Sequence, residues 1–145
     1  MVKVVIGADH GGFELKEFLK NNFTYPDISW IDVGTYDTES CDYPLIADKL
    51  SDIILNKQAD IGVLICGSGI GISIAANRHK GIRAALLYSN EVASLAKEHN
   101  NANIIAFGAR IVGSELAKDI VKAYLDAEFM GGRHQMRVDM ISDLE

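Results

Sequence analysis

The sequence is poor in cysteine and proline, with two residues of each. Cys41 and Cys66 lie in unlike contexts and form no Cys-x-x-Cys pair, so we expect no disulfide and a reducing, cytoplasmic location. The prolines mark no linker, and no segment has a low-complexity composition. The sequence therefore predicts one domain over residues 1–145, a length within the usual range for domains.

Long apolar runs and an excess of positive charge are also missing. No uninterrupted apolar run approaches the roughly 20 residues that span a bilayer. The first residues lack the pattern of a secretory signal, so we expect no membrane partner. The net charge of −6 argues against non-specific nucleic-acid binding and against a basic membrane-surface protein. A local basic pocket is compatible with this charge.

What the sequence does contain is a regular alternation of short apolar runs and helical patterns. The runs predict five buried strands, at residues 2–7, 29–34, 61–67, 82–89 and 103–108. The clearest helical stripe follows Ser114, which we expect to cap that helix. Such alternation predicts an α/β fold, a three-layer α/β/α Rossmann-like arrangement with an open parallel five-stranded sheet. The pattern alone is compatible with the strand order 2-1-3-4-5.

Ligands of open parallel sheets bind beyond the carboxyl ends of the strands. That rule selects five short segments as candidates for a functional site. They are Asp9 with His10, residues 34–37, residues 66–71, residues 89–91 and residues 108–110.

The loop after the third strand has alternating glycines, Gly67, Gly69 and Gly71. A dinucleotide fingerprint fails because Ile72 or Ile74 stands where its last glycine belongs. A Walker A loop fails because its lysine is replaced by Ser68, and a cysteine-phosphatase loop fails because its arginine is replaced by Ile72. We therefore predict an anion-binding loop whose amides open a helix; the amides belong to Gly67, Ser68, Gly69, Ile70, Gly71 and Ile72.

Cys66 stands at the mouth of this loop, and two interpretations of it remain open. The positive end of a helix stabilises a nearby thiolate, which would make Cys66 reactive. A buried cysteine at a strand end also packs as a small hydrophobe, the commoner fate of a lone cysteine. The loop by itself does not decide between them.

Other polar residues have similar pairs of interpretations. Asp9 and His10 end a strand, where they could bind a ligand or form an Asx turn beside a surface histidine. His99 and Asn100 precede the last strand, where a polar helix terminus is the simpler interpretation.

Three arginines are further candidates. Arg110 follows the last strand, and Arg133 and Arg137 are four residues apart, hence on one helical face. Such a pair can hold a phosphate or merely solvate a helix. His79 and His134 follow no strand, so we expect both at the surface.

Five segments together resemble the type B ribose-5-phosphate isomerases, in the same order along the whole chain. They are GADHGGFELK, DYP, CGSGIGISIAANRHKGIRAAL, EHNNANIIAFGARIVG and GGRHQMRV. Relatives that isomerise allose 6-phosphate and galactose 6-phosphate share these motifs. The resemblance implies an aldose–ketose isomerase of the pentose phosphate pathway that needs neither a metal nor a cofactor. It would interconvert ribose 5-phosphate and ribulose 5-phosphate through an enediolate.

The resemblance also implies roles for individual residues. Cys66 matches the base that removes the carbon-bound proton, and Ser68 matches the hydroxyl that moves protons between the sugar oxygens. His99 matches the residue that opens the furanose ring, with Asp9 nearby. The loop amides would bind the enediolate. The remaining matches are Asn100 at the sugar, and His10, Arg110, Arg133 and Arg137 around the phosphate.

Two further implications concern subgroup and assembly. A sister subgroup has a glutamate base at the position of Ile72 and no cysteine at 66, so this chain matches the cysteine subgroup. The family builds each site across a homodimer, with the His99 and Arg110 segments supplied by the neighbouring subunit, and the resemblance leaves open whether dimers pair into a tetramer. The strand order in this family is 2-1-3-5-4.

Two alternative functions remain at this stage. The chain could be an isomerase of a six-carbon phosphosugar, although the complete residue set in one chain favours a self-sufficient homo-oligomer. It could also be a non-catalytic phosphosugar-binding module, which would leave Cys66 beside Ser68 unexplained.

Overall fold

The apolar runs form a parallel sheet in the computed structural model, which describes residues 1–145. The strands are β1 (Val2–Ala8), β2 (Ile28–Asp32), β3 (Ile61–Cys66), β4 (Ala84–Leu86) and β5 (Ile104–Gly108). The helices are α1 (Phe13–Asn22), α2 (Tyr43–Leu55), α3 (Ile70–Asn77), α4 (Asn90–Glu98), α5 (Ser114–Asp126) and α6 (Arg133–Asp143). None of the helices is both long and apolar enough to cross a membrane.

The strand order is β2-β1-β3-β5-β4, and all neighbouring strands are parallel. This confirms the α/β prediction and the order implied by the resemblance, rather than the sequential order that the pattern allowed. Burial gives the reason. All five residues of β5 are buried, so β5 belongs inside the sheet, while β4 has three half-buried or exposed residues and forms an edge.

Helices cover both faces of the sheet and create two apolar cores. The first core lies under α1, α4 and α5, and the second lies under α2 and α3. Strand β5 shows the alternation, since Ile105 and Phe107 belong to the first core and Ile104 and Ala106 to the second. Because both faces are buried, the strands have continuous apolar sequences rather than alternating ones.

Two local expectations differ from the structure. Ser114 is the first residue of α5 rather than its cap, because Gly113 occupies the N-cap position with extended backbone. The fourth strand spans three residues instead of the predicted 82–89. As an edge strand it pairs on one side only, with β5.

A buried ion pair ties α1 to the end of β2. The Lys16 side chain is fully buried, and its Nζ lies 2.6 Å from Asp32 Oδ2, which also accepts from Lys20 Nζ at 2.7 Å. Burial raises the pKa of Asp32, but hydrogen bonds from Lys16, Lys20 and the Gly34 N–H outweigh it and hold that pKa below its usual value. The folded state therefore favours the ionised carboxylate.

Replacing Asp32 with asparagine is expected to lower the free energy of unfolding by about 3–5 kcal/mol at pH 7, because the buried Lys16 loses its 2.6 Å ion pair and keeps only the 3.6 Å contact with Glu17. A lowered carboxyl pKa contributes stability above its unfolded value, here 3.8, which is lost as the pH falls through the folded pKa. The difference between the wild type and the variant should therefore shrink below about pH 4 in urea titrations. Asp48→Asn is the control, since Asp48 is exposed and pairs only with His79. Equal urea midpoints at pH 7 would contradict the prediction.

Candidate active site

The loops after β1 and β3 lie side by side at the carboxyl edge of the sheet. The connection from β1 leads to β2 on one side, and the next connection leads back to β3 on the other, so the strand order reverses here. The Asp9 N–H donates to Ile65 O at 3.2 Å, and a Cβ on Gly11 would lie 3.3 Å from Gly67 N. Open α/β sheets bind ligands in the crevice at such a reversal.

Cys66 is the last residue of β3 and is almost completely buried. Its Sγ accepts a hydrogen bond from the Gly69 N–H at 3.1 Å, and Gly69 is the N-cap of α3 with a φ of +81°. A glycine is required there because side chains disfavour that backbone conformation. The thiol therefore faces the positive end of a helix, with the Gly69 amide directed at its sulfur.

Neighbouring residues pack the glycine loop closely. A Cβ on Gly108 would lie 2.3 Å from the Ser68 carbonyl carbon, and one on Gly71 would lie 2.6 Å from the Tyr43 ring. Ser68 Oγ accepts from the Ile70 N–H at 3.2 Å and leaves its own proton free to donate. The helix predicted to open from this loop is confirmed, since α3 begins at Ile70.

Asp9 and His10 border a cavity of about 640 Å³ together with residues 41–45. Asp9 Oδ1 accepts from the N–H groups of Gly11 and Gly12, which is the Asx turn of the simpler interpretation. His10 is exposed, and its Nδ1 lies 3.0 Å from the Cys41 amide nitrogen. The same Nδ1 lies 3.2 Å from the Cys41 carbonyl oxygen, so the Cys41 backbone orients the His10 ring in either tautomer.

Arg110 lies beside this loop in its own chain. Its N–H donates to Gly67 O at 2.9 Å, and a Cβ on Gly67 would lie 3.3 Å from Arg110 Nε. Within one chain, Arg110 thus contacts the Cys66 loop, and the supply of the Arg110 segment by the neighbouring subunit stays a prediction. We call Asp9, His10, residues 66–71 and Arg110 the thiol half-site.

His99 and Asn100 lie at the opposite end of the sheet, where the strands begin. They follow α4 and precede β5, whereas Cys66 pairs with Gly108 at the far end of β5. Strand β5 alone separates these ends by about 13 Å at the usual rise per residue. The structure therefore does not bring His99 and Cys66 of one chain together.

Helix α6 adds charged residues near His99. The Met130 N–H donates to Glu98 O at 3.0 Å, which places the start of α6 beside the end of α4. Arg133 and Arg137 are both exposed on α6, as their spacing predicts. We call His99, Asn100, Arg133 and Arg137 the histidine half-site.

His134 is buried, so the expectation of a surface residue is wrong. Its ring stacks on the His99 ring with centroids 4.2 Å apart and planes 7° apart, and its buried Nε2 has no hydrogen-bond partner. Burial, followed by the charges of His99, Arg133 and Arg137, lowers the pKa of His134. A neutral ring therefore supports the His99 imidazole.

His79 is half-buried rather than fully at the surface. Its Nε2 lies 2.8 Å from Asp48 Oδ1, and its Nδ1 lies 3.1 Å from Ala76 O. Those contacts join α2 to the end of α3 and give His79 a structural role.

The family model described as ribose/galactose isomerase matches residues 4–141. The chain belongs to the ribose/galactose isomerase family. It is 45% identical over 145 residues to ribose-5-phosphate isomerase B of Escherichia coli, an alignment covering 100% of this chain and 97% of the relative. It is 43% identical to a putative sugar phosphate isomerase of Bacillus subtilis, covering 99% and 97% of the two chains.

Solved structures of the family have the same fold. Ribose-5-phosphate isomerase B of Clostridium thermocellum superposes with a TM-score of 0.96 at 45% identity, covering 99% of this chain and 97% of that one. The enzyme of Mycoplasma genitalium with bound ribulose 5-phosphate superposes with a TM-score of 0.87 at 38% identity, covering 99% and 95%.

Sequence reasoning missed one member of this isomerase's candidate site. The signal for His134 was its spacing to Val138, because residues four apart share a helical face and Val138 is also buried. Two flanking arginines and the general polarity of α6 masked that signal.

Proposed function

We propose that this chain is a ribose-5-phosphate isomerase, interconverting ribose 5-phosphate and ribulose 5-phosphate. The observation that carries the proposal is the Cys66 thiol at the N-terminal end of α3, with the Gly69 N–H on its sulfur. Family membership and the ribose-5-phosphate isomerases among its relatives support the same substrate. Because a base thiol must stay reduced, we also propose a cytoplasmic location; both cysteines are free.

Proton transfer at carbon is assigned to the thiol half-site. The Cys66 thiolate removes the proton from carbon 2 of the open-chain aldose and returns it to carbon 1. Charge develops on the sugar oxygens in the enediolate, and the amides at the start of α3 stabilise it. The Ser68 hydroxyl moves a proton between the two oxygens. Neither step requires a metal or a cofactor.

Ring opening is assigned to the histidine half-site. Ribose 5-phosphate is mostly a furanose, so a general acid–base must first move a proton between the ring oxygen and the anomeric hydroxyl. His99 has this role, and the exposed Asn100 side chain contacts the sugar. His10 and Arg110 from one half-site and Arg133 and Arg137 from the other surround the phosphate.

A complete site requires two chains, because the half-sites lie at opposite edges of one sheet. We propose a homodimer in which the thiol half-site of each protomer meets the histidine half-site of its partner. Pairing of dimers into a tetramer leaves this site unchanged. The surface beside the Cys66 loop supports the proposal, since Ile70, Ile74 and Tyr88 are each more than half exposed.

The shared site predicts that two inactive variants complement one another. Cys66→Ala and His99→Asn are mixed, unfolded and refolded together, so that about half of the dimers are hybrids with one intact site of two. Activity should recover to about a quarter of the wild-type value, measured as ribulose 5-phosphate formed. Refolding each variant alone is the control. No recovery in a mixture shown by mass to contain hybrids would contradict the shared site.

Six-carbon substrates test the main alternative function. Turnover of ribose 5-phosphate, allose 6-phosphate and galactose 6-phosphate should be measured side by side with the purified chain. The proposal expects the highest kcat/KM for ribose 5-phosphate. Higher values for a six-carbon phosphosugar would reassign the substrate, and binding without turnover of any would make the chain a binding module.

Arg133→Ala and Arg137→Ala are each expected to weaken phosphosugar binding about 10–150-fold. A charge-assisted hydrogen bond to phosphate contributes roughly 1.5–3 kcal/mol. The measurement is the dissociation constant of ribulose 5-phosphate by calorimetry, with Arg78→Ala as a control on an exposed arginine outside both half-sites. Unchanged affinity in both variants would leave the pair as a solvated helix face.

A further inference from the structure

Arg83 lies directly before β4 and contacts the segment that carries His99 and Asn100. Its Nε lies 3.1 Å from Asn100 O and 3.2 Å from Asn101 O, and its Nη2 lies 2.9 Å from Asn101 O. The planar guanidinium therefore donates to two successive carbonyls directly after His99. Such a forked contact fixes the orientation of the two carbonyls as well as their distance from the guanidinium.

This segment is a sharp reversal at the end of α4. Asn101 has a φ of +45°, in the left-handed region, and the N–H groups of Asn101 and Ala102 return to Lys97 O and Ala96 O. The chain then turns directly into β5. The last carbonyls of α4 accept from the reversal itself and from Met130, whereas the Asn100 and Asn101 carbonyls follow the helix and accept from Arg83.

The Arg83 main chain is itself anchored to the sheet. Its N–H donates to Asn103 Oδ1 at 2.8 Å, and its carbonyl accepts from the Asn103 N–H at 3.1 Å. The guanidinium thus extends from a fixed backbone to the two carbonyls. A movement of the 99–101 backbone would break those hydrogen bonds.

We propose that Arg83 is a positioning residue for ring opening: it holds the backbone of His99 and Asn100 so that both side chains are oriented before the sugar binds. The inference rests on the ring-opening role assigned to His99 above. His134 packs against the imidazole ring, whereas Arg83 holds the backbone below it. Because oriented groups lose little entropy in the reaction, a loosened segment lowers the rate of the step that uses it.

Arg83→Met tests the proposal with two substrates. Turnover of ribose 5-phosphate should fall about 10–100-fold, since small misplacements of catalytic groups have effects of this size. Ribulose 5-phosphate cannot close a furanose ring because its oxygen 5 carries the phosphate. Exchange of its carbon-1 hydrogen with solvent deuterium, or turnover of a four-carbon phosphosugar, should therefore change much less. Arg78→Met is the matched control, with an exposed arginine from the same groove.

A double variant separates this inference from the proposed function. In the His99→Asn background the selective effect of Arg83→Met should disappear, because both changes impair the same step. The positioning role alone would be overturned if His99→Asn affected only ribose 5-phosphate while Arg83→Met affected all substrates alike. Additive losses in the double variant would also overturn it. Unselective loss in His99→Asn would overturn the ring-opening role and this inference with it. If Arg83→Met does not fold, the same two kinds of substrate are compared in Arg83→Lys. The lysine ammonium lacks the planar fork of the guanidinium, so the selective loss should remain.

Discussion

Cys66→Ala is expected to lower turnover of ribose 5-phosphate about 10²–10⁴-fold, the usual effect of removing a general base. The fold should survive, because the side chain is small and its one hydrogen bond is accepted from the Gly69 N–H. Both directions of the reaction should be affected equally, since each requires transfer of a carbon-bound proton. The measurement is kcat on purified protein whose circular dichroism matches the wild type.

Alkylation provides an independent measurement of the same role. Iodoacetamide should inactivate the wild type, and ribulose 5-phosphate should protect it. The Cys41→Ala variant should remain sensitive, because Cys41 supplies only its backbone to His10. Near-normal activity in folded Cys66→Ala would remove the thiol from the base role.

His99→Asn is expected to nearly abolish turnover of ribose 5-phosphate and to affect open-chain substrates much less. Asparagine can still donate a hydrogen bond, but it cannot exchange a proton with the ring oxygen near neutral pH. Deuterium exchange into ribulose 5-phosphate bypasses ring opening, as does turnover of a four-carbon phosphosugar. Cys66→Ala should lose activity on every substrate, because each requires proton transfer at carbon.

The comparison also controls for a disrupted site, since a collapsed site would lose both activities together. His79→Asn is a further control on a histidine outside the site, whose ring contacts Asp48. Equal losses for cyclic and open-chain substrates in His99→Asn would disprove the ring-opening assignment. Full activity on both kinds of substrate would show that His99 is an ordinary histidine at a helix end.

Much of the fold is determined by local pattern in the sequence. Alternating apolar runs and helical stripes are sufficient for a three-layer parallel sheet, because strands buried on both faces are continuously apolar. The helix start at Ile70 could also be predicted from Gly69 and its neighbours. The order of β4 and β5 could not, because strand pairing depends on which run is buried on both sides, and both runs are apolar.

The sequence by itself determined most members of the candidate site, through strand-end positions and family motifs. Tertiary structure decided how they are grouped. Cys66 and His99 lie at opposite ends of the sheet because one ends a strand and the other precedes one.

Contacts across the chain were likewise decided only by folding. His134 packs under His99, and Arg83 holds two carbonyls 17 and 18 residues away. Neither contact leaves a local periodic signal, because each joins segments whose distance is set by the packing of α4, α6 and β4. The sequence therefore specified the chemistry, and the packing of these elements divided it between the two edges of the sheet.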